Sequence, residues 1–174
     1  MTEGQFHIYT GDGKGKTTAA IGLALRAAGA GWRVYMGQFI KDICYGEVKL
    51  LRSLPGVTVA LFGTGDGCLI DGPPKPQDYA CARKGLQCVK EAMTNGRYDL
   101  VIADEINVAW LMGLISTEDW MDVARVRPPS VELVFTGRGL PPGGEQLADL
   151  VTDMREVKHY YATKGLTSRT GIEC

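Results

Sequence analysis

The residues best suited to chemistry lie near the amino terminus, in a glycine-rich segment that ends in Gly-Lys-Thr. The segment and its next residue consist of Thr10, Gly11, Asp12, Gly13, Lys14, Gly15, Lys16, Thr17 and Thr18. When such a loop joins a strand to a helix, its backbone N–H groups can turn inward around a phosphate chain. Lys16 adds a positive charge, and the Thr17 hydroxyl can reach a magnesium ion. The segment therefore predicts a site for the triphosphate of ATP.

The segment departs in one place from the usual pattern G-x-x-x-x-G-K-[ST], because its first position is Thr10. Gly11, Gly13 and Gly15 still supply the backbone freedom that a loop around phosphate needs. The alternative is a solvent-exposed glycine–lysine turn. That alternative would explain neither the apolar run before the loop nor the alanine-rich stretch after it, so we expect phosphate binding.

A second group with metal-binding chemistry is the acidic pair Asp104 and Glu105, which follows four apolar residues. Mg²⁺ prefers a few carboxylates, waters and phosphate oxygens, so the pair and Thr17 predict a site for Mg²⁺ or Mn²⁺. The alternative is an acidic pair at a helix start, which the helix dipole favours. These features do not identify the reaction, because neither the acceptor base of a kinase nor the water-orienting group of an ATPase is recognisable in the sequence.

These residues need a scaffold that brings strand ends together. Apolar runs predict strands at 6–9, 34–36, 57–62, 100–103, 131–136 and 150–154, and helical spacing predicts helices at 16–28, 47–54 and 78–93. Ser116 resembles the N-cap of a further helix. The alternation predicts an α/β fold, a P-loop NTPase-like (RecA-like) domain with a mainly parallel sheet and helices on both faces. Ligands bind at the carboxyl ends of such strands, where the glycine loop, Asp104–Glu105, the long loop 63–76 and residues 136–138 should converge.

Length, charge and cysteine content limit the class of protein. The 174 residues fit one domain, residues 1–174. A net charge of −1 predicts no nucleic-acid partner and no anionic membrane partner. No apolar run reaches the ~20 residues that span a bilayer, and the start lacks a signal-peptide pattern, so we expect a cytoplasmic location. The five cysteines contain no C-x-x-C and predict free thiols.

The sequence resembles the P-loop type of ATP:corrinoid adenosyltransferases over residues 8–173. The resemblance rests on residues 10–20 (TGDGKGKTTAA), 38–41 (QFIK), 103–107 (ADEIN), 136–139 (TGRG), 147–154 (LADLVTDM), 158–159 (KH) and 171–173 (GIE). It implies transfer of the 5′-deoxyadenosyl group of ATP to a Co(I) corrinoid (cobalamin, cobinamide or cobyrinic acid diamide), in adenosylcobalamin biosynthesis or salvage. A metal-centred nucleophile needs no protein base, and the protein would instead stabilise charge on the leaving triphosphate.

The resemblance also implies roles for particular residues. Lys16, Thr17 and Glu105 would be catalytic, and Thr17 and Glu105 would hold the magnesium ion. The residues that would bind ATP are Gly11, Asp12, Gly13, Lys14, Gly15, Lys16, Thr17, Thr18, Arg26 and Arg138. For Arg138, a salt bridge at the end of a strand is the alternative.

The resemblance implies a corrinoid-facing loop that includes Thr64, Gly65, Asp66, Gly67 and Cys68. Well-known relatives carry two aromatic side chains where this chain has Asp66 and Cys68, and often an N-terminal helix where this chain begins almost at its first strand. The resemblance further implies a homodimer and an electron-donor protein. Three hypotheses follow: an adenosyltransferase, a phosphotransferase or ATPase that would leave ADP, and a non-catalytic carrier of nucleotide or corrinoid, which the missing aromatic pair would suit.

Overall fold

Strands and helices alternate along the chain in the computed structural model, which describes residues 3–43, 45–64 and 73–173. The strands are β1 (Phe6–Thr10), β2 (Val34–Phe39), β3 (Val57–Phe62), β4 (Leu100–Asp104), β5 (Glu132–Thr136) and β6 (Leu150–Asp153). The helices are α1 (Lys16–Gly29), α2 (Gly46–Ser53), α3 (Pro76–Thr94), α4 (Ile106–Leu111), α5 (Thr117–Arg125), α6 (Tyr160–Lys164) and a 3-10 helix at Glu145–Leu147. None of these helices is long and apolar enough to span a bilayer.

The described strands form one sheet in the order β3-β2-β4-β5-β1-β6, and every neighbouring pair is parallel. The predicted parallel sheet is therefore confirmed. Because all the strands run in the same direction, their carboxyl ends share one edge of the sheet. β4 lies between β2 and β5 and is buried along its whole length, which explains why its sequence is an unbroken apolar run before Asp104.

Helices cover both faces of the sheet, as predicted. On one face α3, α4 and α5 pack over side chains that include Val101 and Ala103 of β4. On the other face α1 and α2 pack over side chains that include Leu100 and Ile102. This division follows from the strand geometry, because successive side chains of a strand point to opposite faces.

The helix starts show how local sequence sets the boundaries. Ser116 caps α5, since its Oγ accepts from the Asp119 N–H (3.0 Å) and the Asp119 carboxylate accepts from the Ser116 N–H (2.9 Å). α3 begins earlier than its apolar spacing predicts, because Pro76 suits the first helical position and the Asp78 carboxylate accepts from the Lys75 N–H (2.7 Å). The short helices α4 and α6 were not predicted. Cys81 and Cys88 of α3 are free thiols, as expected, whereas Cys44, Cys68 and Cys174 lie outside the described residues.

Candidate functional site

The glycine-rich loop between β1 and α1 is held against the end of β6. The Gly13 N–H donates to the Met154 carbonyl (2.6 Å), and the Met154 N–H donates to the Thr10 carbonyl (2.9 Å). Gly11 has a φ of 94°, and a Cβ there would lie 2.1 Å from Asp153 Oδ1. Only glycine fits such a position. The segment at 147–154 therefore supports the loop from the edge of the sheet.

Lys16 lies inside this loop. Its side chain is buried, and its Nζ donates to the carbonyls of Gly11 (2.6 Å) and Gly13 (2.7 Å). Burial lowers the pKa of the Lys16 ammonium, although the nearby Glu105 carboxylate acts in the opposite direction. An ammonium has three N–H donors, so Lys16 can keep these two carbonyls and still donate to a phosphate oxygen.

Asp104, the last residue of β4, is fully buried and joins several strand ends. Its Oδ1 accepts from the hydroxyls of Thr17 (2.9 Å) and Thr136 (2.6 Å). Its Oδ2 accepts from Gln38 Nε2 (3.0 Å) and Lys41 Nζ (2.9 Å). Burial acts to raise the pKa of Asp104, but the Lys41 charge and the hydrogen bonds outweigh it and hold the pKa below its usual range. The carboxylate is therefore charged, and four donors surround it.

Glu105, the N-cap of α4, has an unusual backbone. Its φ of 60° and ψ of 19° are left-handed, a conformation that is costly without glycine and that clusters at functional sites. The Glu105 N–H donates to the Thr136 hydroxyl (2.9 Å). Burial and the Asp104 charge raise the pKa of Glu105, against the opposing charges of Lys41, Lys16 and Arg138. A bound cation would relieve this crowding of two carboxylates. The helix-start alternative also holds for the pair, since β4 ends at Asp104 and α4 begins one residue after Glu105.

The oxygen atoms at this edge fit a magnesium ion. They belong to the Thr17 hydroxyl, the Glu105 carboxylate and the Asp104 carboxylate, which accepts a hydrogen bond from the Thr17 hydroxyl. Mg²⁺ keeps several waters and takes one or two carboxylates together with substrate phosphates. Beside Asp104, the buried Gln38 Oε1 has no hydrogen-bond partner among the residues that the structure describes. Because buried acceptors normally have a donor, this orphaned atom suits a site that gains water or ligand.

The predicted nucleotide-binding arginines lie in different places. Arg138 follows β5, and its Nη1 is 4.0 Å from Asp12 Oδ1 at the open side of the loop, where both side chains are more than half exposed. This weak pair agrees with a salt bridge at a strand end and leaves the guanidinium accessible. Arg26 lies in the last turn of α1. At 1.5 Å per residue it is roughly 15 Å along the helix axis from Lys16, so the structure does not bring it to the glycine-rich loop.

Asn107 is a site residue that the sequence interpretation did not assign a role. It is buried in α4, and its Nδ2 donates to the Gly137 carbonyl (3.3 Å) while its Oδ1 accepts from Trp120 Nε1 (2.9 Å). Gly137 has a φ of 130°, and a Cβ there would lie 2.9 Å from the Asn107 Cβ. Asn107 thus fixes the segment that carries Arg138. The sequence signal that could have identified Asn107 is its place in the segment 103–107, which is part of the resemblance.

The predicted corrinoid-facing loop begins beside the carboxylate site. The Thr64 hydroxyl donates to Asp78 Oδ1 (2.9 Å), which ties this end of the loop to α3. A Cβ on Gly63 would lie 2.5 Å from the Lys41 carbonyl carbon, so the two backbones touch. The other predicted members of this loop, Gly65, Asp66, Gly67 and Cys68, lie outside the described residues.

The carboxyl-terminal residues also reach the glycine-rich loop. Lys14 Nζ donates to the Tyr160 hydroxyl (2.9 Å) and forms an ion pair with Glu173. The only sequence signal for these contacts was the resemblance at 158–159 and 171–173, which assigned neither residue a role.

Comparison with known proteins gives one consistent family. The sequence model described as "ATP:corrinoid adenosyltransferase BtuR/CobO/CobP" matches residues 2–174. A corrinoid adenosyltransferase of Pseudomonas aeruginosa is 32% identical over 167 residues, which cover 95% of this chain and 81% of the relative. A corrinoid adenosyltransferase of Escherichia coli K12 is 32% identical over 166 residues, which cover 95% of this chain and 83% of the relative.

A solved structure supports the fold. The KaiC-like protein of Pyrococcus horikoshii superposes with a TM-score of 0.56 over 87% of this chain and 73% of that chain, at 16% identity. At this low identity the likeness concerns the fold alone. Together with the parallel sheet, it confirms the predicted RecA-like P-loop architecture.

Proposed function

The chain belongs to the ATP:corrinoid adenosyltransferase family, so its activity is adenosyl transfer from ATP to a corrinoid in cobalamin metabolism, and we propose that the loop at residues 10–18 holds the triphosphate that leaves. The observation that carries this assignment is the position of Lys16, Thr17, Asp104 and Glu105 at one edge of the sheet. In the reaction the cobalt of a Co(I) corrinoid donates its electron pair to C5′ of ATP. A Co–C bond forms, the C5′–O bond breaks, and the triphosphate leaves with that bonding pair.

The residues of the site have separate tasks in this proposal. The loop N–H groups and Lys16 stabilise negative charge as it grows on the triphosphate. Asp104 is the positioning residue of the metal site, because it holds the Thr17 hydroxyl (2.9 Å) and is already surrounded by donors. Glu105 is then the direct carboxylate ligand, which narrows the sequence-based hypothesis that included Asp104 as a ligand. A Mg²⁺ ion bound there supplies further positive charge to the triphosphate.

Identification of the products tests the function. Anaerobic incubation with ATP, Mg²⁺ and chemically reduced corrinoid should give adenosylated corrinoid and inorganic triphosphate in equal amounts, because one bond is exchanged for one. Chromatography with mass detection measures both products. ADP as the sole nucleotide product would contradict the transferase function and would favour a phosphotransferase or ATPase.

Glu105→Gln tests the metal assignment. The amide keeps the size of the side chain and removes the charge. The Mg²⁺ concentration for half-maximal rate should therefore rise at least about tenfold, since a change in a residue that only contacts a metal ligand already lowers metal affinity by that factor. The dissociation constant of the corrinoid should change little. Glu118→Gln, an exposed carboxylate of α5, is the control. An unchanged Mg²⁺ titration would give Glu105 a structural role.

Several finer features complete the proposal. We propose Mg²⁺ or Mn²⁺ as the metal, a homodimer as the assembly, a protein as electron donor and the cytoplasm as location. The residues 64–68 would face the corrinoid, next to the Lys41 backbone that touches Gly63. Arg138 would contact the nucleotide from the open side of the loop. The position of Arg26 in the last turn of α1 does not support a contact with a nucleotide bound to the loop of the same chain.

A further inference from the structure

The carboxyl-terminal segment, residues 160–173, ends on the glycine-rich loop. The Glu173 carboxylate accepts from Lys14 Nζ, from the Tyr160 hydroxyl and from Arg169, whose backbone N–H lies 2.9 Å and whose Nη2 lies 3.2 Å from it. The Arg169 guanidinium also stacks 4.8 Å above the centre of the Tyr160 ring. Two cations and a hydroxyl thus surround one carboxylate beside the predicted triphosphate site.

These donors form an anion site that the chain fills with its own side chain. Ammonium and guanidinium groups bind carboxylate and phosphate oxygens with the same hydrogen-bond geometry. Hydrogen bonds from Arg169, Lys14 and Tyr160 hold the pKa of Glu173 well below its usual range, so the group is fully charged. The segment therefore presents negative charge to Lys14, a residue of the predicted triphosphate loop.

A ligand can replace the Glu173 carboxylate in its contacts with Lys14, Tyr160 and Arg169. Residues 161–172 are all exposed, and only Tyr160 and Glu173 at the two ends are half-buried. The two cationic partners, Lys14 and Arg169, are 37% and 46% exposed, and ion pairs with such exposed groups contribute little to stability because water and salt screen them. A triphosphate carries several charges and also gains the loop N–H groups, so it can replace a single carboxylate.

We propose that Lys14, Arg169 and the Tyr160 hydroxyl form an outer polyphosphate subsite, which Glu173 occupies until the triphosphate of the nucleotide displaces it. Arg169 then becomes a triphosphate-binding residue of the closed complex. This inference rests on the proposed function, since it assumes that the triphosphate lies in the loop at residues 10–18.

Glu173→Gln is the decisive variant, because it removes the competing charge and keeps the size of the side chain. Calorimetry with inorganic triphosphate should show about two- to fivefold tighter binding than in the unmodified protein, the range that one exposed ion pair is worth. The gain should shrink at high salt. The control variant is Glu91→Gln, which changes an exposed carboxylate near the carboxyl-terminal end of α3 and should leave the affinity for triphosphate unchanged.

A second variant tests whether Arg169 takes part in binding. Adding Arg169→Gln to Glu173→Gln should weaken triphosphate binding about two- to fivefold relative to Glu173→Gln alone. Hydrogen exchange of the Arg169 amide, whose N–H donates to the Glu173 carboxylate (2.9 Å), should rise in the unmodified protein when triphosphate is added.

The outcomes separate this inference from the proposed function. Weaker binding by Glu173→Gln would overturn the inference and make Glu173 a support for Lys14. Equal affinity of Glu173→Gln and the unmodified protein would also overturn it, while leaving the proposed function intact. Absence of triphosphate binding to the unmodified protein would overturn both.

Discussion

Lys16→Ala should lower the rate of adenosyl transfer by on the order of 10²–10³ and weaken ATP binding, with little change in the fold. The reason is that one prearranged donor facing a developing charge is worth this much in a rate. Lys16 is buried and its Nζ donates to the Gly11 and Gly13 carbonyls, so its ammonium is held inside the loop. Single-turnover kinetics with corrinoid already reduced to Co(I) measures the step directly.

The control for this experiment is Lys84→Ala, which removes an exposed ammonium from α3. It should leave the rate and ATP affinity unchanged, and circular dichroism should show the same spectrum for both variants. If Lys16→Ala retained full ATP affinity and turnover, the glycine-rich loop would not be the triphosphate site.

Asp104→Ala should lower the free energy of unfolding by about 3–5 kcal/mol, the typical cost of removing one partner of a buried ion pair. The substitution leaves the Lys41 ammonium, 14% exposed, without this counter-charge, and it deprives two threonine hydroxyls and the Gln38 amide of their acceptor. Urea denaturation without nucleotide or divalent cation measures this free energy of unfolding.

A double variant separates charge from shape. Asp104→Ala combined with Lys41→Met should recover part of the lost stability, because the Lys41 ammonium is then no longer left beside the site of the removed carboxylate, while adenosyl transfer stays impaired. Asp122→Ala, which removes a half-exposed carboxylate from α5, should change stability by less than about 0.5 kcal/mol. A loss below about 1 kcal/mol for Asp104→Ala would mean that the ion pair contributes little.

The sequence predicted the scaffold well because the relevant signals are local. Each strand was visible as a short apolar run, and parallel topology then placed the loop at 10–18 and the pair Asp104–Glu105 at one edge. The distribution of roles within the pair was not predictable from spacing, although the resemblance assigned the magnesium ion to Thr17 and Glu105. It depends on which donors reach Asp104 and on the left-handed backbone of Glu105, and neither is encoded in spacing.

Two further features depend on contacts that spacing does not encode. Lys41 reaches Asp104 because Ile40, a β-branched residue with a φ of 54°, turns the chain just after β2. Lys14 and Glu173 meet although they lie 159 positions apart. The tail has little hydrophobic periodicity, so its approach to the loop could be found only from the folded chain.

The position of β1 affects how the protein acquires its site during synthesis. β1 is translated before the other described strands but lies between β5 and β6, the last of them to be translated. The glycine-rich loop after β1 reaches its folded shape later still, because its Gly13 N–H donates to the carbonyl of Met154. Pairings between such distant segments form slowly. A nascent or prematurely terminated chain without β6 therefore carries the complete Gly-Lys-Thr sequence but lacks the support that shapes it, so we expect nucleotide capture only after β6 has been synthesised.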